Sequence, residues 1–178
     1  MKELLITGAW RCGEQQVQAL EQMGYAITFW PDERQAVNMD TQRFEAVICG
    51  GLFLTTPIER FPALKCIQVT SAGLDRVPLD YCKAHGITVY NAGGVYSAPM
   101  AEFVLGGILQ LYKESKFFAE NQAAHRWEKH RGLRELSGKT ACIIGTGSVG
   151  SAIARRLRAF DVQTVGMNRS GHPAAEFD

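Results

Sequence analysis

The segment Ile143-Ile144-Gly145-Thr146-Gly147-Ser148-Val149-Gly150 constrains this chain more than any other, because glycines at this spacing belong where backbone turns sharply or approaches something closely. Its flanks supply the context that the spacing alone does not. Residues 139–144 read as a buried strand, and residues 148–160 as a helix with Val149, Ile153 and Leu157 on one stripe. In such a strand–turn–helix, Gly145 supplies the tight turn, Gly147 lets N–H groups approach a pyrophosphate, and Gly150 permits close helix–strand packing. The positive end of the helix faces the phosphates. A dinucleotide site is therefore expected over Gly145, Thr146, Gly147, Ser148, Val149 and Gly150. The competing reading is an ordinary corner with chance glycines.

The rest of the chain repeats a strand-then-helix rhythm. Residues 4–7, 25–30, 46–49, 66–70 and 87–90 are short apolar runs. Residues 13–23 carry Val17, Leu20 and Met23 inward at helical spacing with Gly24 as the stop, and residues 77–85 can form a helix closed by Gly86. Five strands joined by crossovers imply a parallel sheet with helices on both faces, so the region up to about residue 94 reads as a small α/β domain. The turn-rich Asn91-Ala-Gly-Gly-Val-Tyr-Ser97 then marks a hinge before a long helical stretch over residues 98–127. Ser97 is its expected cap, Pro99 suits its first turn, and Met100, Val104, Ile108, Leu111 and Phe118 mark its apolar face.

With 178 residues, 46% of them hydrophobic, the chain can bury a core; its net charge of +1 and lack of basic runs point away from nucleic acid and anionic membranes. No apolar segment approaches the length of a membrane span, and the N-terminus leads directly into a strand-like run without a cleavage signal, so a cytoplasmic location is expected. The five cysteines, Cys12, Cys49, Cys66, Cys82 and Cys142, include no C-x-x-C pair and are expected to be reduced and buried. The four histidines are dispersed, so no metal site is expected; His125 and His130 fit a solvated helix end.

Residues 162–167 form the next expected strand, and Asn168-Arg169-Ser170 follows it, where a dinucleotide fold meets the adenosine ribose about 20 residues beyond the glycines. No carboxylate stands there. An acid would bond the ribose hydroxyls of NAD, whereas Arg169 offers a planar cationic fork and Ser170 a hydroxyl donor, which favours NADP over NAD. The alternative is that Arg169 faces solvent and Asn168 alone bonds the ribose of NAD. Earlier in the chain, Ser71-Ala72-Gly73-Leu74-Asp75-Arg76-Val77 follows a strand at the ligand-facing edge of a sheet, where Ala72 and Gly73 could present N–H groups to a small carboxylate. An ordinary turn into a capped helix would read the same way.

Taken in order, Ser71-Ala-Gly-Leu-Asp75, Asn91-Ala-Gly-Gly-Val-Tyr-Ser-Ala-Pro-Met-Ala-Glu-Phe103 and Glu135-Leu-Ser-Gly-Lys-Thr-Ala-Cys-Ile-Ile-Gly-Thr-Gly-Ser-Val-Gly150 resemble the D-isomer-specific 2-hydroxyacid dehydrogenases over nearly the whole chain. The resemblance implies an α/β protein: a flavodoxin-like substrate domain over residues 1–96, then the first half of a Rossmann-type doubly wound parallel sheet over residues 97–178. It implies that Ala72 and Gly73 hold a substrate carboxylate and that residues 146–149 face the pyrophosphate. It further implies a homodimer formed through the cofactor domain by the helix after Ser97. The activity implied is hydride transfer between NAD(P)H and a small 2-keto or 2-hydroxy acid, with glyoxylate- and hydroxypyruvate-like substrates possible.

Family members run considerably longer, and their catalytic Arg, Glu and His lie in the half of the cofactor domain that has no counterpart here. No catalytic residue is therefore expected in this chain. His125 and His130 precede the cofactor strand and are poor substitutes; Glu102 is expected to order the hinge or to pair with a nearby cation, and Asp75 and Arg76 to be helix-start charges. The chain is expected to be a piece of a full enzyme and inactive alone, with a short product that has lost its active half as the second account. A non-catalytic dinucleotide-binding or interaction module is the rival function. A methyltransferase is disfavoured by Asn168-Arg169 where a ribose-binding acid would stand.

Overall fold

The computed structural model describes residues 1–177, and Asp178, the last position of the expected second domain, lies outside them. The chain divides into two compact units, Met1–Gly93 and Gly94–Asp178.

The first unit is built on five parallel strands, β1 (Lys2–Thr7), β2 (Tyr25–Trp30), β3 (Ala46–Cys49), β4 (Cys66–Val69) and β5 (Thr88–Tyr90), in the order β2-β1-β3-β4-β5. That order is the flavodoxin-like one. Leu5, Val47, Ile67 and Val69 are buried in the larger core with Phe44, Leu52 and Phe61, whereas Leu4, Ile6 and Ala46 belong to a second cluster with Leu20 and Tyr25. Alternation along β1 therefore feeds two cores, one on each face, which is why the strands read as continuous apolar runs.

Helix α1 (Glu14–Gln22) ends at Met23, and Gly24 follows at φ +90°. Val17 and Leu20 are half-buried, but Met23 is 71% exposed, a correction to its expected inward position: as the C-cap it has left the helical stripe. Helix α2 is short, Leu79–Ala84, with Pro78 as its N-cap; Val77, the residue before a proline, is disfavoured from helical geometry.

The second unit holds α3 (Ser97–Tyr112), α4 (Ser115–Ala123), β6 (Thr140–Ile144), α5 (Ser148–Arg158) and β7 (Gln163–Met167), with β6 and β7 parallel. The expected single helix over residues 98–127 is two helices. Glu114 adopts φ 49° and breaks it, and residues 126–136 are irregular. Ser97 is not the cap: Tyr96 takes that place, its side chain making no cap hydrogen bond to the helix, and the buried Ser97 hydroxyl has no partner among the described residues. The face of α3 turned inward carries Ala101 and Leu105, with Ile108, Leu109 and Tyr112 packed beside Leu136, Leu157 and Val162. Met100 and Leu111, expected inward, are exposed, because α3 is apolar nearly all round and periodicity cannot select one side.

The expected buried character of residues 139–144 is also corrected. Only Ala141 and Ile143 turn toward α3 and α5; Cys142 and Ile144 lie on the other face, beside Val165 and Met167 of β7. Of the cysteines, Cys49 and Cys82 are buried, Cys12 and Cys66 half-buried, and Cys142 exposed; all are free thiols. Burial pushes the Cys49 thiol up to about 12, with the Glu33 carboxylate adding to the effect. No helix among the described residues is long and apolar enough to cross a membrane, and no cluster of three His, Cys, Asp or Glu that could hold a metal occurs among them.

Candidate functional site

The glycine segment sits between β6 and α5. Gly145 has φ +101°, a conformation that side chains rarely adopt, and its N–H donates to Met167 O at 2.8 Å, tying the turn to the end of β7. At Gly150 a Cβ would stand 1.9 Å from Gly145 O, so glycine there is a steric requirement of the helix crossing its own entry turn. Gly147 is different. A Cβ at this position meets no atom within 4 Å, and its φ of −73° is open to any residue. It is the N-cap of α5 and contributes no side chain to cap it, so the first N–H groups of the helix, from Ser148 and Val149 onward, are left without a capping oxygen. Thr146 is fixed on both sides: its carbonyl accepts from Ser151 Oγ at 3.2 Å, and its Oγ1 accepts from Asn168 Nδ2 at 2.9 Å.

Asn168 thus does something its sequence position did not announce. Besides Thr146, its Nδ2 donates to His172 O at 2.8 Å, and its Oδ1 accepts from Ser170 Oγ at 3.1 Å, so the amide brackets the glycine turn to the loop after β7. Ser170 is spent within the same bracket. Arg169 stands exposed between them, with no hydrogen-bond or ion-pair partner among the described residues. A cavity of about 490 Å³ opens beside these groups, lined by Thr146, Met167, Asn168, His172, Pro173 and Phe177 among others. Glu176 ties the segment after this loop to α5, accepting from Arg155 at 3.2 Å and Arg158 at 3.3 Å, while its carbonyl accepts from Thr164 Oγ1 at 3.1 Å. Val149, Ser148 and Gly147 lie at the mouth of α5 rather than in this cavity.

In the first unit, the turn after β4 is held through its carbonyls. Asn91 Nδ2 donates to Ala72 O at 2.7 Å, Ser71 Oγ donates to Gly73 O at 2.9 Å, and Ala92 N–H donates to Ser71 O at 2.9 Å. The N–H groups of Ala72 and Gly73 donate to no acceptor among the described residues, and both residues are exposed. A turn whose carbonyls are consumed and whose amides are free is an anion-facing arrangement. The remaining candidates take structural places: Glu102 pairs with Arg156 at 3.4 Å between α3 and α5, and the His130 ring packs edge-on against Phe117 at 4.9 Å. Neither Asp75 nor Arg76 has an ion-pair partner among the described residues.

The family model described as D-isomer specific 2-hydroxyacid dehydrogenase, NAD binding domain, matches residues 105–178. A glyoxylate/hydroxypyruvate reductase, HPR3, of Arabidopsis thaliana is 31% identical over 118 residues, 64% of this chain and 36% of that protein. The NADPH-dependent glyoxylate/hydroxypyruvate reductase of Sinorhizobium meliloti, solved with citrate, superposes with a TM-score of 0.74 at 24% identity, covering 98% of this chain and 57% of that one. The D-lactate dehydrogenase of Aquifex aeolicus, solved with NAD and lactic acid, gives a TM-score of 0.75 at 24% identity over 93% of this chain and 51% of that one. At that identity the likeness to the solved structures is one of fold. The match to the curated relatives spans between about a third and a half of their length, 36% and 47% for the two Arabidopsis reductases.

Proposed function

We propose that this chain, whose residues 105–178 match the model of the D-isomer-specific 2-hydroxyacid dehydrogenase NAD binding domain, carries the acid-binding and dinucleotide-binding parts of an NAD(P)-dependent oxidoreductase acting on small 2-keto and D-2-hydroxy acids. In this reading the first unit is the substrate domain and the second the beginning of the cofactor domain. The observation that carries it is the contrast between two glycines. Gly150 is required by the chain's own packing, whereas nothing in the chain requires Gly147, which leaves open the approach to the uncapped amides of α5. A residue kept small without an internal reason, at the positive end of a helix, fits a diphosphate coming in from outside.

When bound, the nicotinamide supplies or accepts the hydride. The protein's contribution is positional: amides of residues 146–149 hold the diphosphate, Asn168 holds Thr146 in place, and the free amides of Ala72 and Gly73 receive the substrate carboxylate. Proton donation to the carbonyl oxygen and its polarisation by a cation are assigned to no residue of this chain. Arg169, exposed and unpaired among the described residues, favours NADP, because its fork can pair with a 2′-phosphate while Asn168 and Ser170 are engaged with each other. Substrates of the size of glyoxylate or hydroxypyruvate follow the curated plant relatives.

The same reading includes a homodimer through the second unit. Helix α3 buries Leu105 inward yet leaves Met100, Phe103 and Leu111 exposed, Phe103 to 84%, and a helix apolar on opposite sides is one that an assembly covers. A second copy, presenting the same stripe about a two-fold axis, is the proposed cover. A cytoplasmic setting belongs to the proposal too, where free thiols such as Cys49 and Cys82 stay reduced. Titration of the full chain with NAD(H) and NADP(H), followed by heat and by nicotinamide fluorescence, tests the reading: no binding of any of the four rejects it. Binding without turnover would instead identify a dinucleotide-binding module.

A further inference from the structure

Doubly wound sheets take their ligands outside the carboxyl ends of the strands where strand order reverses, here between β1 and β3. In this protein that crevice holds a carboxylate of the chain's own. Glu33, on the loop after β2, reaches the ends of both strands: its Oε2 accepts from Thr7 Oγ1 at 2.7 Å and from the Gly50 N–H at 3.0 Å, and its Oε1 accepts from the Gly51 N–H at 2.5 Å. Its main-chain carbonyl is held in turn by Thr55 Oγ1 at 2.7 Å. Thr7 is buried, and a Cβ on Gly50 would lie 2.9 Å from Glu33 Oε1, so the approach depends on the missing side chain.

No cation pairs with this carboxylate among the described residues. Arg34, the neighbour best placed by sequence, is committed to Asp32 at 2.8 Å, and Glu33 has no ion-pair partner among the described residues. The donors to the carboxylate are neutral dipoles: two successive amides from the end of β3 and a hydroxyl from the end of β1. Such an arrangement recognises the planar, two-oxygen shape of the group more than its charge.

We propose that the Gly50 and Gly51 amides and the Thr7 hydroxyl form a carboxylate-binding site at the switch point of the first unit, with Glu33 as its built-in occupant, and that the site takes a small external monocarboxylate when the Glu33 side chain is removed. Glu33 wins in the native chain because it is tethered, which gives it an effective concentration that a free acid does not match. One consequence rests on the proposed function: with this crevice filled from within, the amides left for a substrate acid are those of Ala72 and Gly73, one strand over at the end of β4. The site itself does not depend on that reading.

The test is thermal unfolding of the full chain and its Glu33→Ala variant, each in sodium formate and in sodium chloride of equal strength. Formate at about 0.1 M should raise the midpoint of Glu33→Ala by about 2–4 °C more than chloride does. The native protein and Glu33→Gln, whose side chains still fill the crevice, should respond to the two salts alike. Equal responses of Glu33→Ala to formate and chloride would overturn the proposal. Should Glu33→Ala fail to fold in either salt, scalar couplings across the hydrogen bonds from the Gly50 and Gly51 amides to the Glu33 carboxylate carbon decide the matter on the native chain, their presence supporting the site and their absence overturning it. No nucleotide enters any of these measurements, so a failed cofactor titration leaves them unaffected.

Discussion

Replacing Gly150 and Gly147 separately divides the glycine segment into a folding part and a binding part. In Gly150→Ala the new methyl would lie 1.9 Å from Gly145 O, 3.0 Å from its carbonyl carbon and 3.4 Å from Ile143 Cγ2. An ordinary C···O contact is about 3.3 Å, so α5 and its entry turn must separate by more than an ångström, and the obstacle is backbone that cannot rotate aside. Overpacking of this kind costs about 1–3 kcal/mol or somewhat more, against a gain of about 0.5–1 kcal/mol from replacing a helical glycine by alanine. With backbone as the obstacle the cost stands at the upper end of that range, so the net expectation is a loss of about 2 kcal/mol in the second unit. Denaturant unfolding, read by a probe in that unit, measures it. In Gly147→Val the folded chain accommodates the Cβ in open space, so stability should fall by no more than the about 1 kcal/mol that an apolar residue costs at an N-cap, while binding of every nicotinamide dinucleotide is abolished. Gly150→Ala as stable as the native chain would refute the packing argument, and undiminished dinucleotide binding by Gly147→Val would refute the amide cradle.

Arg169→Ala should weaken NADP(H) by about 1.5–3 kcal/mol, the range for hydrogen bonds to charged groups, and barely alter NAD(H); equal losses in calorimetry would reject Arg169 as the phosphate reader. Phe103→Asp should convert a dimer into a monomer in light scattering with the far-UV dichroism unchanged, and a native chain already monomeric would remove the dimer from the proposal. Iodoacetamide at mildly alkaline pH should label the exposed Cys142 promptly and Cys49 only on unfolding, as peptide mapping would show. The Cys49 thiol also gives a sign to stability at high pH. Its folded value of about 12 lies above the ordinary 9.0, so the folded state keeps a proton that the unfolded chain loses. That contribution is whole below pH 9.0 and is lost as pH rises toward about 12. A Cys49→Ala variant should therefore lose less stability over that window than the native chain.

Where the reading of the chain succeeded, it did so through local signals. The five strands of the first unit and both strands of the second were visible as short apolar runs between turn residues, and a parallel arrangement followed from the crossovers between them. The break at Glu114 was not visible, since Lys113, Glu114 and Ser115 are all acceptable in a helix and none of them announces a left-handed residue. The roles of Asn168 and Glu33 were hidden for a related reason. Each is an ordinary polar residue in a loop, and its partners, Thr146 in one case and Thr7, Gly50 and Gly51 in the other, are brought to it by strands far away in the chain.

By itself, then, the order of residues determined that this protein alternates strands and helices and that a glycine turn stands before α5, because hydrophobic period and glycine spacing are properties of a few neighbouring residues. Which side of α3 is covered, that Cys142 and Ile144 are uncovered, and that the switch-point crevice already contains a carboxylate were decided only by the tertiary structure. Burial and hydrogen bonding are settled between segments distant in sequence, and no local pattern encodes which of several equally apolar or polar groups will meet.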